Sequence, residues 1–194
     1  MEHSLNKLNN FIYGWYIDKK VCKDLIKYFN KSKNKTKGRV LYENTTKVNK
    51  NIKASTDVYI NSNNNDTVII NYKKELTKVV NKYKEKYKYC DEGQDAWGLI
   101  NPFNIQKYKP NEGYFKLHCE KSSFKNAERH LVFMTYLNDV SDGGETEFYY
   151  QKLKVKPETG LTLIWGSDWT FMHRGITSKT QTKYIAAGWL DYIK

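Results

Sequence analysis

Between Lys19 and Asn30 the apolar residues Val21, Cys22, Leu25, Ile26 and Phe29 recur three and four positions apart, the spacing of one helical face. Asp18 stands where an N-cap belongs, so a helix from about Lys19 to Asn30 is expected. The following Asn30–Gly38 stretch has no periodicity and reads as loop. From Arg39 to Ile70 short strands and polar loops are expected, with Asn61–Asp66 the clearest loop. A second helix is expected from about Tyr72 to Tyr89. Leu76, Val79, Val80, Tyr83 and Tyr87 form its buried stripe, and Lys74, Lys78, Lys82 and Lys86 fall on the other side.

From Ala96 onward the periodicity changes from helical to strand-like. Short apolar, β-branched or aromatic runs appear at Trp97–Asn101, Asn104–Tyr108, Tyr114–Glu120, Leu131–Leu137, Glu147–Tyr150, Leu161–Trp165, Thr170–His173 and Tyr184–Tyr192. Turn signals separate them at Lys109–Gly113, Ser141–Gly144 and Lys156–Gly160. This many short strands with regular turns predict a β-sandwich or jelly roll. The two helices ahead of it are expected to cover one sheet. No internal repeat is evident.

The length of 194 residues fits a single domain, residues 1–194, with a helical and loop part at 1–95 and a β-core at 96–194. Mean hydropathy is low, at −0.80, but aromatic content of 15% supplies large rings for a core. No apolar run approaches membrane-spanning length, so no membrane association is expected. Met1–Asn10 lacks the apolar segment of a signal peptide. The cysteines Cys22, Cys90 and Cys119 are odd in number and lack metal-ligand spacing. Reduced thiols and a cytoplasmic location (host cytoplasm for a virus) are therefore expected.

Charge divides the chain. Residues 1–90 carry 20 basic and 8 acidic side chains, whereas residues 91–194 carry 13 of each. A basic segment attracts nucleic acid, anionic lipid or acidic protein. The same segment is rich in Lys, Asn, Ile and Tyr together, as AT-rich coding would produce. Arginine is scarce, limited to Arg39, Arg129 and Arg174, which argues against a module that clamps phosphates or reads bases.

The neutral half holds the candidate chemistry. His118 and Glu120 flank one residue, and on a strand positions i and i+2 face the same way. Cys119 would then point away and pack. His173 lies far enough along to sit on another strand facing that pair. Two imidazoles and one carboxylate suit Fe(II) or Mn(II) with open positions, whereas a closed zinc site wants a fourth protein ligand.

The surrounding residues carry a resemblance. Tyr108-Lys-Pro-Asn-Glu-Gly-Tyr-Phe-Lys-Leu-His118-Cys-Glu120 is followed by Arg129, Thr135-Tyr-Leu-Asn-Asp139 and Gly143-Gly-Glu-Thr-Glu-Phe148. Then come Pro157, Gly160, Leu163-Ile-Trp165, His173-Arg-Gly175, Lys183-Tyr184 and Trp189. In order and spacing, residues 96–194 resemble the Fe(II)/2-oxoglutarate-dependent dioxygenases, specifically the prolyl 4-hydroxylase-like branch. The resemblance implies a double-stranded β-helix (jelly-roll, cupin-like) core with helices packed on one sheet. It implies Fe(II) on His118, Glu120 and His173. Lys183 would bind the distal carboxylate of 2-oxoglutarate, with Tyr108 and Tyr136 lining that pocket. Lys179 is the other lysine near His173, but Tyr184 and Trp189 follow Lys183 in the family's order.

The implied activity consumes O2 and 2-oxoglutarate, releases succinate and CO2, and hydroxylates an unactivated C–H. Ascorbate is admitted as an accessory reductant. The expected substrate is a prolyl or other residue of a protein or peptide. A nucleic acid or a small metabolite are the alternatives, and a basic non-enzymatic nucleic-acid-binding protein is the non-catalytic one. One departure is Glu120, where the branch usually carries Asp. Arg129 and Thr146 read as strand-start and turn residues, and Trp165, Trp169 and Trp189 as packing. Asn30–Ile70 is the expected lid, by its length and polarity.

Overall fold

Two aspartates start the two helices. In the computed structural model, which describes residues 2–3, 10–42 and 45–193, Asp18 accepts a bond from the Lys20 backbone N–H at 2.7 Å, and Asp66 accepts one from Val68 at 2.8 Å. Of the Met1–Asn10 stretch, Met1 and residues 4–9 lie outside the described residues. The chain runs β1 (Glu2–His3), β2 (Tyr13–Tyr16), α1 (Lys19–Lys31), β3 (Lys35–Lys37), β4 (Val40–Tyr42), β5 (Thr45–Lys47), β6 (Thr56–Ile60) and α2 (Thr67–Lys86). It continues through β7 (Trp97–Gly98), β8 (Phe103–Tyr108), β9 (Arg129–Tyr136), β10 (Thr146–Phe148), β11 (Leu153–Val155), β12 (Leu161–Gly166), β13 (His173–Gly175) and β14 (Lys183–Tyr192).

The strands form a major antiparallel sheet in the order β1-β2-β12-β9-β14-β8-β6-β3, with β7 also on β14, and a minor sheet β11-β10-β13. β4 and β5 make a separate hairpin. This is the expected jelly roll, with both helices on one face of the major sheet. Strand alternation divides the core in two. Leu131 and Phe133 of β9, Ile164 of β12 and Ala186 of β14 join Leu25, Phe29, Tyr72 and Leu76 under the helices. Val132, Met134 and Tyr136 of β9, with Leu163, Trp165 and Ile185, pack on the inner side against Phe148 and Val155 of the minor sheet. A polar link crosses the helix layer: Tyr72 Oη bonds Thr135 Oγ1 at 2.9 Å, and Thr135 bonds Thr162 at 2.8 Å. Among the described residues no helix is long and apolar enough to cross a membrane.

Several elements differ from the sequence reading. α2 begins at Thr67, not Tyr72, because Asp66 caps it and Ile69 extends the buried stripe at 69, 72, 76, 79 and 83. The Val68-Ile-Ile70 run looks like a strand in isolation, but the cap and the periodicity prevail. The end of the Asn30–Gly38 loop forms β3, an edge strand on β6. The 1–95 part is not only helix and loop: β2 pairs with β12 and β6 with β8, so it completes both flanks of the major sheet. Thr170–His173 splits into a 3-10 turn at Trp169–Phe171 and the start of β13.

The largest difference is Tyr114–Glu120, which forms no continuous strand. Its backbone changes partner along its length. Phe115 N–H donates to Ile52, His118 and His173 exchange both backbone bonds, and Glu120 N–H donates to Ser167. The segment therefore ties the 49–55 loop, the minor sheet and the end of β12 together.

Candidate metal centre and cosubstrate cavity

A cavity of about 470 Å³ opens between the inner face of the major sheet and the minor sheet. His118 and Glu120 enter it from the irregular segment, and His173 enters from the first position of β13. The two imidazoles and the carboxylate come together, with ligand atoms all within 4.8 Å of one another. Glu120 Oε1 lies 3.4 Å from His118 Nε2 and 3.6 Å from His173 Nε2. Octahedral ligands at metal–ligand distances of about 2.1 Å sit roughly 3 Å apart, so a small contraction would close this set around one ion.

The backbone fixes which nitrogen each imidazole offers. His118 Nδ1 donates to the Lys116 carbonyl at 2.9 Å and His173 Nδ1 to that of Phe171 at 2.9 Å. Each Nε2 is the nitrogen that faces Glu120 and, in the neutral ring, the one whose lone pair a metal would take. Burial, then the neighbouring His173, lowers the His118 pKa and favours the neutral ligand form. Burial opposes ionisation of Glu120, yet its contacts with His118 and His173 outweigh that and hold the carboxyl well below its usual range. Tyr114 stacks on the His118 ring at 3.6 Å and fixes its plane. The donor set, its tautomers and its geometry fit a divalent metal. In addition, the Trp165 indole N–H in the cavity wall is buried without a hydrogen-bond partner among the described residues.

The second carboxylate oxygen is held by residues whose sequence reading was packing and strand start. Trp189 Nε1 donates to Glu120 Oε2 at 2.9 Å. Arg129 Nη1 lies 3.4 Å from the same oxygen and donates to the Glu120 carbonyl at 2.7 Å. The guanidinium also stacks on the Trp189 ring at 3.5 Å. A signal for Trp189 was available: counting by twos along β14 from Lys183 puts it on the same face.

Lys183 is 5% exposed, and its Nζ donates to the Gly144 carbonyl at 2.8 Å. Among the described residues no carboxylate lies within ion-pair distance of it. Burial pulls its pKa down to about 8, although Glu145 opposes this. Tyr108 is buried beside it, with its ring 5.2 Å from Nζ and its hydroxyl donating to Gln106 Oε1. Burial raises the Tyr108 pKa well above its ordinary value. Tyr136, by contrast, does not line this cavity. Its hydroxyl lies beneath the wall, bonding Thr146 Oγ1 at 2.6 Å and the Val155 carbonyl at 3.1 Å. Thr146 takes the place in the wall instead. Cys119 is half-buried, its thiol near the Lys121 carbonyl and also bordering the cavity. The exposed Trp169 lies outside the cavity and stacks edge-on with Tyr150.

A family model described as the 2OG-Fe(II) oxygenase superfamily matches residues 103–191. No curated protein matches the sequence. Three solved structures share the fold. The viral collagen prolyl hydroxylase of Paramecium Bursaria Chlorella virus-1, in its 2-oxoglutarate complex, is 18% identical with TM-score 0.67 and covers 95% of this chain and 98% of its own. A Pseudomonas putida prolyl-4-hydroxylase is 12% identical with TM-score 0.71, covering 96% and 95%. A Trichoplax adhaerens prolyl hydroxylase, solved with a hypoxia inducible factor peptide fragment, is 16% identical with TM-score 0.71, covering 94% and 84%. The matched segment contains the two histidines, Glu120 and Lys183, so the β-core of this chain, residues 103–191, is similar to the 2OG-Fe(II) oxygenase superfamily in the part that holds the candidate site.

Proposed function

We propose that the protein is an Fe(II)- and 2-oxoglutarate-dependent dioxygenase that hydroxylates a prolyl or other side chain of a peptide. The observation that carries this is the juxtaposition, in one cavity, of a convergent His-Glu-His set and a buried lysine that has no carboxylate partner among the described residues. His118 Nε2, Glu120 Oε1 and His173 Nε2 would hold the metal on one face and leave the cavity side open. When bound, Fe(II) with 2-oxoglutarate supplies O2 activation, one oxygen atom going to the cosubstrate, which becomes succinate and CO2, and the other to the substrate C–H.

The chain's own residues bind and orient. Lys183 is suited to the distal carboxylate of 2-oxoglutarate, because a desolvated ammonium with one carbonyl partner gains a charge-assisted bond there. Tyr108 closes the same end of the cavity. Trp189 and Arg129 keep Glu120 Oε2 occupied, so that Oε1 faces the imidazoles. The inner core of Val132, Met134 and Ile185 makes the floor apolar and excludes water. The peptide substrate is supported by the three fold neighbours named above, which are prolyl hydroxylases, one of them solved with a peptide.

The test is succinate formation from 2-oxoglutarate after anaerobic Fe(II) loading and exposure to O2. His173→Ala should abolish it, and Lys183→Ala should raise the 2-oxoglutarate KM by at least ~10-fold, the size of a lost charge-assisted bond. Undiminished succinate formation by His173→Ala would refute the assignment.

A further inference from the structure

The charged side chains around the cavity are not balanced. Six are basic and two acidic. Both acids are committed. Glu120 faces the metal set, and Asp57 is buried against Lys53 at 2.8 Å, with Ser55 Oγ on its other oxygen at 2.7 Å. Three further cations are also accounted for. Arg129 lies on Glu120 and Trp189, Arg174 Nε donates to Glu147 Oε2 at 2.6 Å, and Lys183 faces the cosubstrate end. Iron and 2-oxoglutarate bring opposite charges of equal size and leave the excess unchanged.

What remains is Lys37 at the end of β3 and Arg39 just before β4, both exposed and both lining the cavity. Among the described residues neither has a carboxylate partner. Arg39 Nη2 donates to the Thr46 carbonyl at 2.7 Å, which holds the guanidinium at the base of the β4–β5 hairpin. Val40 and Leu41 add apolar surface beside them, and Tyr59, 62% exposed, adds an aromatic ring. β3 is the edge of the major sheet, paired only with β6 among the described residues. An extended peptide can lie along such an edge and donate or accept backbone bonds, which a nucleic acid cannot do in register. Fixed cations at the mouth of a low-dielectric cleft concentrate anionic ligands.

We infer that the substrate is an acidic peptide, carrying Asp or Glu beside the residue to be hydroxylated, with Lys37 and Arg39 recognising that carboxylate. This rests on the oxygenase reading of the same cavity and names the class of its substrate.

The test uses two fluorescent proline peptides, identical except that Glu or Lys flanks the proline, and a labelled single-stranded oligonucleotide. Binding to the protein loaded with Fe(II) and 2-oxoglutarate is followed anaerobically by fluorescence anisotropy, and succinate is measured after O2 is admitted. The Glu peptide should bind ~10-fold tighter at low salt, with the gap narrowing as salt screens it. Lys37→Glu with Arg39→Glu should invert the order, and Lys37→Gln with Arg39→Gln should flatten it. Equal binding, no peptide binding, an order kept in both variants, or an oligonucleotide that outcompetes the Glu peptide would each overturn the inference. A charge preference that inverts as expected while no succinate forms would instead sink the oxygenase reading and leave acidic-peptide recognition standing.

Discussion

Glu120 concentrates what is particular to this site. A carboxylate one methylene longer than the Asp usual in the branch it resembles has an extra torsion to fix, and Trp189 and Arg129 fix it by holding Oε2. Removing the indole N–H while keeping an aromatic ring should therefore free the carboxylate without emptying the core. Trp189→Phe is expected to weaken Fe(II) or Co(II) binding ~10–100-fold, the range for partners that orient metal ligands. Direct metal titration in the absence of O2 measures this, and unchanged affinity would reduce Trp189 to packing. The convergence of His118, Glu120 and His173 was legible in the sequence, less from the H-x-E spacing than from the order of the residues around it. The clamp was not: nothing in a tryptophan or arginine taken alone says that it faces a carboxylate. Tyr136 shows the converse. It shares the inner face of β9 with Val132 and Met134, but its hydroxyl is taken up by Thr146 and the Val155 carbonyl.

At the level of elements, the cosubstrate end depends on a strand and a turn meeting. β14 begins at Lys183, and the 141–144 turn presents the carbonyl that Nζ bonds. Gly143 and Gly144 have φ of 110° and 78°, and a Cβ on Gly143 would lie 2.3 Å from the Thr177 carbonyl oxygen, so this turn requires glycine. Asp142 pins it to the next loop through Ser178 and through Thr180, whose N–H donates at 2.8 Å. Because Lys183 is desolvated there, its pKa of about 8 lies below the ordinary 10.5. Two pH effects follow with opposite signs. Between about pH 8 and 10.5 the unfolded chain binds the extra proton, so the ligand-free protein should gain stability as pH rises through that window. Binding of 2-oxoglutarate needs the protonated amine and should weaken as pH passes about 8. Denaturant melts and isothermal titration across pH 7–10 report each, and Lys183→Met should remove both trends. The glycine turn and the strand were readable from composition. The Tyr114–Glu120 segment was misread because its alternation is strand-like while its backbone partners change along its length.

For the whole molecule, the jelly roll with helices on one sheet was legible because both periodicities are strong, helical before residue 90 and alternating after it. The share of the basic half in the β-sheet was not, since β2, β3 and β6 are short and pair with strands far along the chain. Its charge separates by location. Lys74, Lys78, Lys82 and Lys86 of α2 lie on the solvent face, whereas Lys37 and Arg39 reach the cavity. The metal set has a mechanical consequence at this scale. His118 and Glu120 sit on a segment held by scattered backbone bonds, and His173 sits on the three-stranded minor sheet. An ion shared among them would tie the less regular part of the molecule to itself, so metal binding is coupled to the stability of the whole. At a metal concentration 100-fold above Kd the gain is about 2.7 kcal/mol. For a domain of this length that corresponds to a rise in Tm of about 5–10 °C. Calorimetry with Mn(II), which avoids turnover, should show the rise, and a chelator should reverse it. His173→Ala should melt at one temperature with or without the ion. If the wild-type protein also melts at one temperature while titration shows the ion bound tightly, the site does not couple the irregular segment and the minor sheet to the unit that melts, and that segment owes its order to the backbone bonds alone.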